Sequence, residues 1–225
     1  MPAKPVADCA FPPYGFSAMA DENAHYYEPR DGHGLLYDPF NSIIAPRPIG
    51  WISTISAAGV PNLAPYSFFN ALNYHPPLIG FSSVGWKDSV ANIEATGVFC
   101  WNLANRPHAE AMNASSASVP AETDEFVVAG LTKACSRIVS APRVLESPVN
   151  FECRLSELIR LRTADGKELD SWFVIGEVVA VHMDKNYIVN GAFDGMAAQP
   201  IMRGGGPDEY FSFDAGARFR MRRPD

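Results

Sequence analysis

Cysteine is scarce in this chain of 225 residues, which has only four. No two of them form a CxxC pair, so zinc-ribbon and thioredoxin-like signatures are excluded. Cys100 and Cys153 stand in apolar, strand-like runs and are predicted to be buried thiols. No disulfide framework is expected from this pattern.

Long apolar runs are also missing. No stretch of about 18 apolar residues predicts a membrane-spanning helix, and the first residues lack the basic and apolar regions of a secretory signal. Basic residues are outnumbered, with 18 Lys and Arg against 25 Asp and Glu, a net charge of −7. This balance disfavours a nucleic-acid-binding role. We therefore predict a cytoplasmic protein with neither a membrane nor a nucleic-acid partner.

Several catalytic signatures are missing as well. There is no HExxH metal motif, no GxSxG nucleophile elbow and no GxGxxG following a strand. No pair of carboxylates stands out for acid–base chemistry. Metal-dependent hydrolysis, acyl transfer and glycoside hydrolysis are therefore unsupported. His182 ends a strand near Asp184, and a satisfied structural role is predicted for it.

Short β-rich segments separated by Gly, Pro and polar residues dominate the chain from residue 49 onward. The predicted strands are Ile49–Ile55, Pro61–Pro65, Leu78–Val84, Gly97–Leu103, Asn150–Leu161 and Ser171–His182. Short helices are predicted at Lys87–Glu94, Pro107–Asn113 and about Ala121–Ala129. Several strands with short helices between them indicate an antiparallel β-barrel.

The ends of the chain differ from this core. Residues 1–34 lack a clear period and predict an irregular arm, residues 35–212 form the predicted domain, and residues 213–225 form a tail. The tail has four arginines between Arg218 and Arg223, which is typical of a solvated end.

A dense group of hydroxyls, amides and two cations lies between residues 46 and 89. Its members are Arg47, Ser53, Thr54, Ser67, Asn70, Ser82, Ser83, Lys87, Asp88 and Ser89. Taken singly, such residues are ordinary in turns. Taken together, they suit a phosphate-bearing ligand, because hydroxyls and N–H groups donate to phosphate oxygens and a cation supplies charge.

The strongest part of this group precedes a predicted helix. Ser82 and Ser83 end an apolar strand just before the helix that opens at Lys87–Ser89, where the helix dipole favours an anion. A carboxylate repels phosphate, so Asp88 is expected to cap the helix or turn away. Pro46 and Pro48 restrict the backbone around Arg47, which is either aimed at a ligand or solvated.

Four blocks of sequence resemble the flavin reductase-like, FMN-binding split-barrel family, in the branch that includes flavoredoxins. They are RPIGWIST at 47–54, GVPNLAPYSFFN at 59–70, PPLIGFSS at 76–83 and KDSVANI at 87–93. Segments 176–182 and 200–206, together with Tyr210, also fit the family pattern. The resemblance spans residues 35 to 212 and depends on the order and spacing of all blocks.

The resemblance implies a mainly β fold, a six-stranded antiparallel Greek-key split barrel with short flanking helices. It also implies a homodimer with noncovalent FMN near the subunit interface. The ten residues of the polar group become cofactor-binding candidates, and Arg203 is an eleventh that approaches the flavin from the same or the partner chain. Phe68, Phe69 and Asn70 combine aromatic surface with a donor for the isoalloxazine ring.

Three functions remain open at this point. The first is an FMN-dependent oxidoreductase that takes hydride from NADH or NADPH and passes electrons to a small-molecule or protein acceptor. Because the cofactor performs such chemistry, no catalytic side chain is identified. The second is a flavin-binding electron carrier without direct NAD(P)H oxidation. The third is a barrel that has lost flavin and binds another metabolite.

Overall fold

The computed structural model describes residues 23–224. Contacts within the chain divide it between Pro39 and Phe40 into two units. The described part of the first unit contains a 3-10 turn at Pro29–Asp31. The second unit holds the sheets and the α-helices. Within residues 23–224, no helix is long and apolar enough to cross a membrane.

The second unit is built mainly from strands. The strands are β1 Arg47–Pro48, β2 Gly50–Ile55, β3 Pro61–Tyr66, β4 Phe69–Tyr74, β5 Pro77–Val84, β6 Val98–Asn102, β7 Lys133–Ala134, β8 Arg143–Val144, β9 Val149–Arg162, β10 Glu168–Met183, β11 Ile188–Val189, β12 Ala192–Phe193, β13 Ile201–Arg203 and β14 Tyr210–Ser212. The helices are α1 Phe40–Ile43, α2 Asp88–Thr96, α3 Ala109–Ala114 and α4 Glu125–Val128.

One antiparallel sheet forms the body, with the strand order β3-β2-β6-β9-β10-β5-β4. The non-consecutive neighbours are β2·β6, β6·β9 and β10·β5, and such crossovers are of the Greek-key kind. The mainly β split-barrel class is thereby confirmed. The sheet has seven strands, one more than the resemblance implies.

The additional strand is β4, whose residues after Phe69 are all exposed. An edge strand of this kind has no buried face, so no alternation of apolar and polar residues marks it in the sequence. The structure assigns it through its pairing with β5, in which Phe69 opposes Phe81.

Glycines allow large rings to lie flat on the sheet. At Gly176 in β10, an added Cβ would lie 2.4 Å from the Phe99 ring and 3.3 Å from Cys153. Gly80 in β5 is similarly covered, with Leu72 and Phe173 each 2.7 Å from an added Cβ. Packing in the main core therefore depends on glycines, which have no side chain, as well as on apolar residues. Cys100 and Cys153 are fully buried, as predicted.

The helices are present with shifted bounds. Helix α2 ends two residues later than predicted, the second helix begins with a 3-10 turn at Arg106–His108, and α4 covers only the end of the predicted 121–129 segment. Asp124 caps α4 by accepting a hydrogen bond from the Phe126 N–H. The local sequence marks where these helices lie, whereas tertiary packing sets their lengths.

Candidate functional site

Three adjacent cavities collect most of the polar group identified in the sequence. The first, called here the lysine cavity, has a volume of about 360 Å³. It lies between β3, the start of α2 and the 115–119 loop, and its lining includes Tyr66, Lys87, Asp88, Ser89 and Glu125. The fold thus places the start of α2 and the buried end of β3 at the same cavity.

The helix start faces this cavity without a side-chain cap. Lys87 occupies the N-cap position and makes no side-chain capping bond, so Asp88 does not cap the helix, which was one of the two alternatives expected for it. Lys87 is exposed and forms no ion pair within the described part of the chain. Ser89 is buried, and its Oγ accepts a hydrogen bond of 2.9 Å from Asn62. An unpaired cation beside a helix N-terminus favours an anionic ligand.

Tyr66 adds a feature that the sequence did not single out. Its side chain is 6% exposed, and its ring packs on Phe81 at a centroid distance of 4.6 Å. The hydroxyl oxygen is buried and has no hydrogen-bond partner in the described part of the chain. Burial raises the pKa of this phenol, the nearby hydroxyls of Ser89 and Ser83 oppose that rise, and the charges of Asp88 and Glu125 add to it. A buried hydroxyl without a partner is costly, so it is a feature to be explained by a ligand or an ordered water.

Two carboxylates, Asp88 and Glu125, also line the lysine cavity and reduce its positive charge. Glu125 is buried, and its Oε2 accepts a 3.1 Å hydrogen bond from the Leu63 N–H. Burial raises the pKa of Glu125, and the neighbouring charges of Asp88 and Asp124 raise it further. The cavity therefore becomes less negative as Glu125 takes up a proton.

The second cavity, called here the arginine cavity, has a volume of about 340 Å³. Its polar lining comes from four predicted residues, and its apolar lining includes three aromatic rings. The predicted residues are Arg47, Ser67, Asn70 and Ser82, and the apolar ones include Phe68, Phe69, Leu72 and Phe173. The arrangement combines a guanidinium and an amide with a flat apolar wall.

A third cavity of about 150 Å³, called here the linking cavity, shares lining residues with both of the others at the end of β3. This linking cavity shares Tyr66 and Ser116 with the lysine cavity, and it shares Ser67 with the arginine cavity. Arg203 lines it as well. The 62–70 segment therefore borders all three cavities.

Other predicted residues lie in the interior instead. Ser53 donates to the Pro142 carbonyl at 2.5 Å, Thr54 accepts from Asn92 at 3.0 Å, and Ser83 donates to the Gly85 carbonyl at 2.9 Å. All three side chains are fully buried, and none lines the three cavities. In this structure their hydroxyls form hydrogen bonds with helix α2 and with loops next to the sheet.

His182 has the structural environment predicted for it, with a different partner. Its Nε2 lies 2.5 Å from the Oε1 of Glu152, not beside Asp184. Glu152 is fully buried and also accepts the N–H groups of three residues, 137 to 139. Burial by itself raises the pKa of Glu152, but these hydrogen bonds outweigh it and lower the value to about 2.

The chain matches the model of the flavin reductase like domain over residues 43–195, more than half of its length. The chain belongs to the flavin reductase-like family. The matched region contains all the lining residues of the lysine cavity and the arginine cavity. In general terms, the protein is a flavin-related oxidoreductase.

Relatives of this flavin reductase-like protein support the same family. A protein of Halalkalibacterium halodurans is 37% identical over 187 residues, covering 80% of this chain and 87% of its own length. Nitrilotriacetate monooxygenase component B from Bacillus cereus has a similar structure, with 28% identity, a TM-score of 0.77 and coverage of 92% of this chain and 100% of its own. The 2-nitrobenzoate 2-nitroreductase of Pseudomonas fluorescens follows, with 27% identity, a TM-score of 0.71 and coverage of 82% and 88%.

The three cavities fit the two ends of a flavin. The lysine cavity offers a free ammonium, a helix N-terminus and an unpaired phenol, which are donors suited to a phosphate. The aromatic wall that begins at Phe68 suits a planar ring system. Volumes of 340 and 360 Å³ lie at the lower end of the roughly 300–1,000 Å³ expected of ligand pockets.

Proposed function

We propose that this protein is an FMN-dependent oxidoreductase of the NAD(P)H:flavin reductase type that acts in the cytoplasm. FMN, when bound, supplies hydride and electron transfer, and the protein contributes binding, orientation and electrostatics. The observation that carries the proposal is the lysine cavity, where, among residues 23–224, Lys87 has no ion-pair partner and the buried Tyr66 hydroxyl has no hydrogen-bond partner.

Residues of the lysine cavity would hold the phosphate. Lys87 supplies a charge, Ser89 a buried hydroxyl at the helix start, and Tyr66 a buried hydroxyl that can donate to the ligand. A charge-assisted hydrogen bond to phosphate is about twice as strong as a neutral one, so such donors favour FMN over riboflavin.

The stretch from Ser67 to Asn70 would border the flavin ring. Asn70 is exposed, and its Oδ1 accepts a 2.8 Å bond from the Ala71 N–H, which leaves its amide nitrogen available as a donor. No side chain of this stretch has to act as an acid or base, because the flavin performs the redox chemistry. The protein's part is to exclude water and to fix the ring against the end of β3.

The deciding experiment is a visible spectrum of the purified protein, recorded without oxygen before and after NADH or NADPH is added. The proposal expects a flavin band near roughly 450 nm that bleaches with one of the two nucleotides. A band that persists would identify an electron carrier reduced by another protein. A colourless protein that takes up no FMN would refute the flavin proposal.

Lys87→Ala tests the phosphate site directly. Loss of one charged partner is expected to weaken FMN binding by about tenfold or more, measured by fluorescence titration, with a smaller effect on riboflavin. Lys167→Ala is the matched control, because Lys167 is an exposed lysine in the turn before β10. Equal FMN affinities in the two variants would remove Lys87 from the site.

The proposal includes a homodimer. Several apolar side chains on the edge strand and the neighbouring surface are exposed, among them Leu72 at 45% and Tyr74 at 81%. Exposed apolar patches next to an unpaired strand edge favour association between chains. Sedimentation equilibrium is expected to give twice the chain mass of 24.5 kDa, and a monomer at micromolar concentration would contradict this part.

A further inference from the structure

An exposed tryptophan borders the lysine cavity at the start of helix α2. Trp86 immediately precedes Lys87 in the chain, lines the cavity and is 44% exposed. A phosphate group takes up only the volume of two or three waters, at roughly 30 Å³ each. The cavity has a volume of about 360 Å³, so a phosphate at Lys87 leaves most of it for another part of the ligand.

The indole of Trp86 is held in place by its neighbours. It packs edge-to-face on Trp172, with a centroid distance of 5.0 Å and an interplanar angle of 75°. Trp172 packs against the main core, and the Arg160 guanidinium lies 5.5 Å from the centre of its ring. An exposed ring that is already ordered can stack on a ligand with little further loss of side-chain entropy.

The turn that carries Trp86 is fixed as well. Gly85 has a φ of +85°, which glycine adopts without strain. Its N–H donates to the Asp170 carbonyl at 2.9 Å, and its carbonyl accepts a 2.9 Å hydrogen bond from the Ser83 hydroxyl. These bonds set the position of the indole relative to the start of α2.

The charged groups of the cavity suit a nucleotide better than a phosphate alone. Lys87 favours an anion, but Asp88 lines the same cavity, and its carboxylate forms no hydrogen bond or ion pair within residues 23–224. A carboxylate repels phosphate, whereas it accepts hydrogen bonds from the hydroxyls of a ribose. A cation, a free carboxylate and an exposed indole match the phosphate, the ribose and the base of a nucleotide.

We propose that Trp86 stacks on the adenine of FAD, so that the flavin site accepts this dinucleotide as well as FMN. The inference depends on the proposed function, because it takes the flavin phosphate to lie at Lys87. The second phosphate and the adenosine then lie in the rest of the lysine cavity, with the ribose near Asp88 and the base on the indole. Stacking of a base on an aromatic side chain needs no particular pattern of hydrogen bonds.

The test measures the binding of four compounds to the flavin-free full chain by calorimetry. FMN and FAD are the two flavins, and ADP and inorganic pyrophosphate are probes that carry no flavin. The main variant is Trp86→Leu, which keeps an apolar contact with Trp172 but has no flat ring, and Trp86→Phe restores a flat ring. Tyr26→Leu is the control, since Tyr26 is 80% exposed and lines none of the three cavities.

The inference expects wild type to bind both flavins, and to bind ADP at least about tenfold more tightly than pyrophosphate. Trp86→Leu should weaken the binding of ADP and of FAD about tenfold, and the binding of FMN much less. Trp86→Phe should recover most of the lost affinity, and Tyr26→Leu should bind all four compounds as wild type does.

Three results would overturn the inference. The first is an equal loss of FMN and FAD affinity in Trp86→Leu, because the indole would then contact the part that the two flavins share. The second is FAD affinity that does not change in Trp86→Leu. The third is a Trp86→Leu protein, loaded with FMN, whose KM for NADH rises while its FAD affinity stays intact, because the adenine on the indole would then belong to the nicotinamide nucleotide.

The same titrations separate failure of this inference from failure of the proposed function. If wild type binds neither flavin, the proposed function fails and the inference fails with it. If wild type binds FMN but does not bind FAD, or binds FAD independently of Trp86, the inference alone fails.

Discussion

Replacing Tyr66 with phenylalanine should separate stability from flavin binding. The hydroxyl is buried without a partner, although Ser83 and Ser89 lie close enough to influence its pKa. Burying an unpaired hydroxyl costs about 1–3 kcal/mol. Removing it while keeping the ring on Phe81 should therefore leave the free energy of unfolding of the flavin-free protein unchanged, or raise it by about 1 kcal/mol.

The same change should weaken FMN binding. A hydrogen bond to a charged group contributes about 1.5–3 kcal/mol, which corresponds to a loss of roughly 10- to 150-fold in affinity. Urea unfolding of the flavin-free protein and fluorescence titration with FMN measure the two quantities. Tyr26→Phe is the control, since Tyr26 is 80% exposed and lines none of the three cavities.

One result would refute this reasoning. If Tyr66→Phe lowers the free energy of unfolding by more than about 1 kcal/mol and leaves FMN affinity intact, the hydroxyl has a structural partner such as an ordered water. If FMN affinity is lost instead, a titration with riboflavin shows which part of the flavin the hydroxyl contacts. Loss of FMN affinity alone places the hydroxyl at the phosphate, and equal losses place it elsewhere on the flavin.

Three further changes test other parts of the structure. Glu152→Gln should lower the free energy of unfolding by at least about 2 kcal/mol at neutral pH, measured by urea titration. Because the pKa of Glu152 is lowered from 4.5 to about 2, the carboxylate's contribution to stability is present above pH 4.5 and is lost as the pH falls toward 2. Equal acid sensitivity of variant and wild type would contradict this role. Gly176→Ala should destabilise the protein by about 1–3 kcal/mol in the same assay, because the new Cβ would lie 2.4 Å from the Phe99 ring, and an unchanged midpoint would show that this ring moves freely. Glu125→Gln should make FMN affinity less dependent on pH, because the raised pKa of Glu125 lets wild type gain a negative charge in the lysine cavity as pH rises above 4.5; parallel pH profiles would exclude that effect.

The sequence alone determined the family, the fold class and the position of most strands. β-rich segments bounded by Gly, Pro and polar residues place β2, β5 and β6 within one or two residues of their observed ends. It also placed Lys87 and Ser89 at the start of a helix, because short-range spacing fixes what a helix end presents. These are local properties of the chain, and local sequence is sufficient for them.

The tertiary structure decided what each polar residue does. Ser53 and Thr54 stand in the same sequence blocks as the cavity residues, yet the sheet turns them inward to Pro142 and Asn92. Packing alone shows that the Tyr66 hydroxyl is buried with no hydrogen-bond partner among residues 23–224. Arg47 and Arg203 are 156 residues apart, and the pairing of β1 with β13 brings their charges together. Such relations depend on contacts between distant segments, which no local pattern encodes.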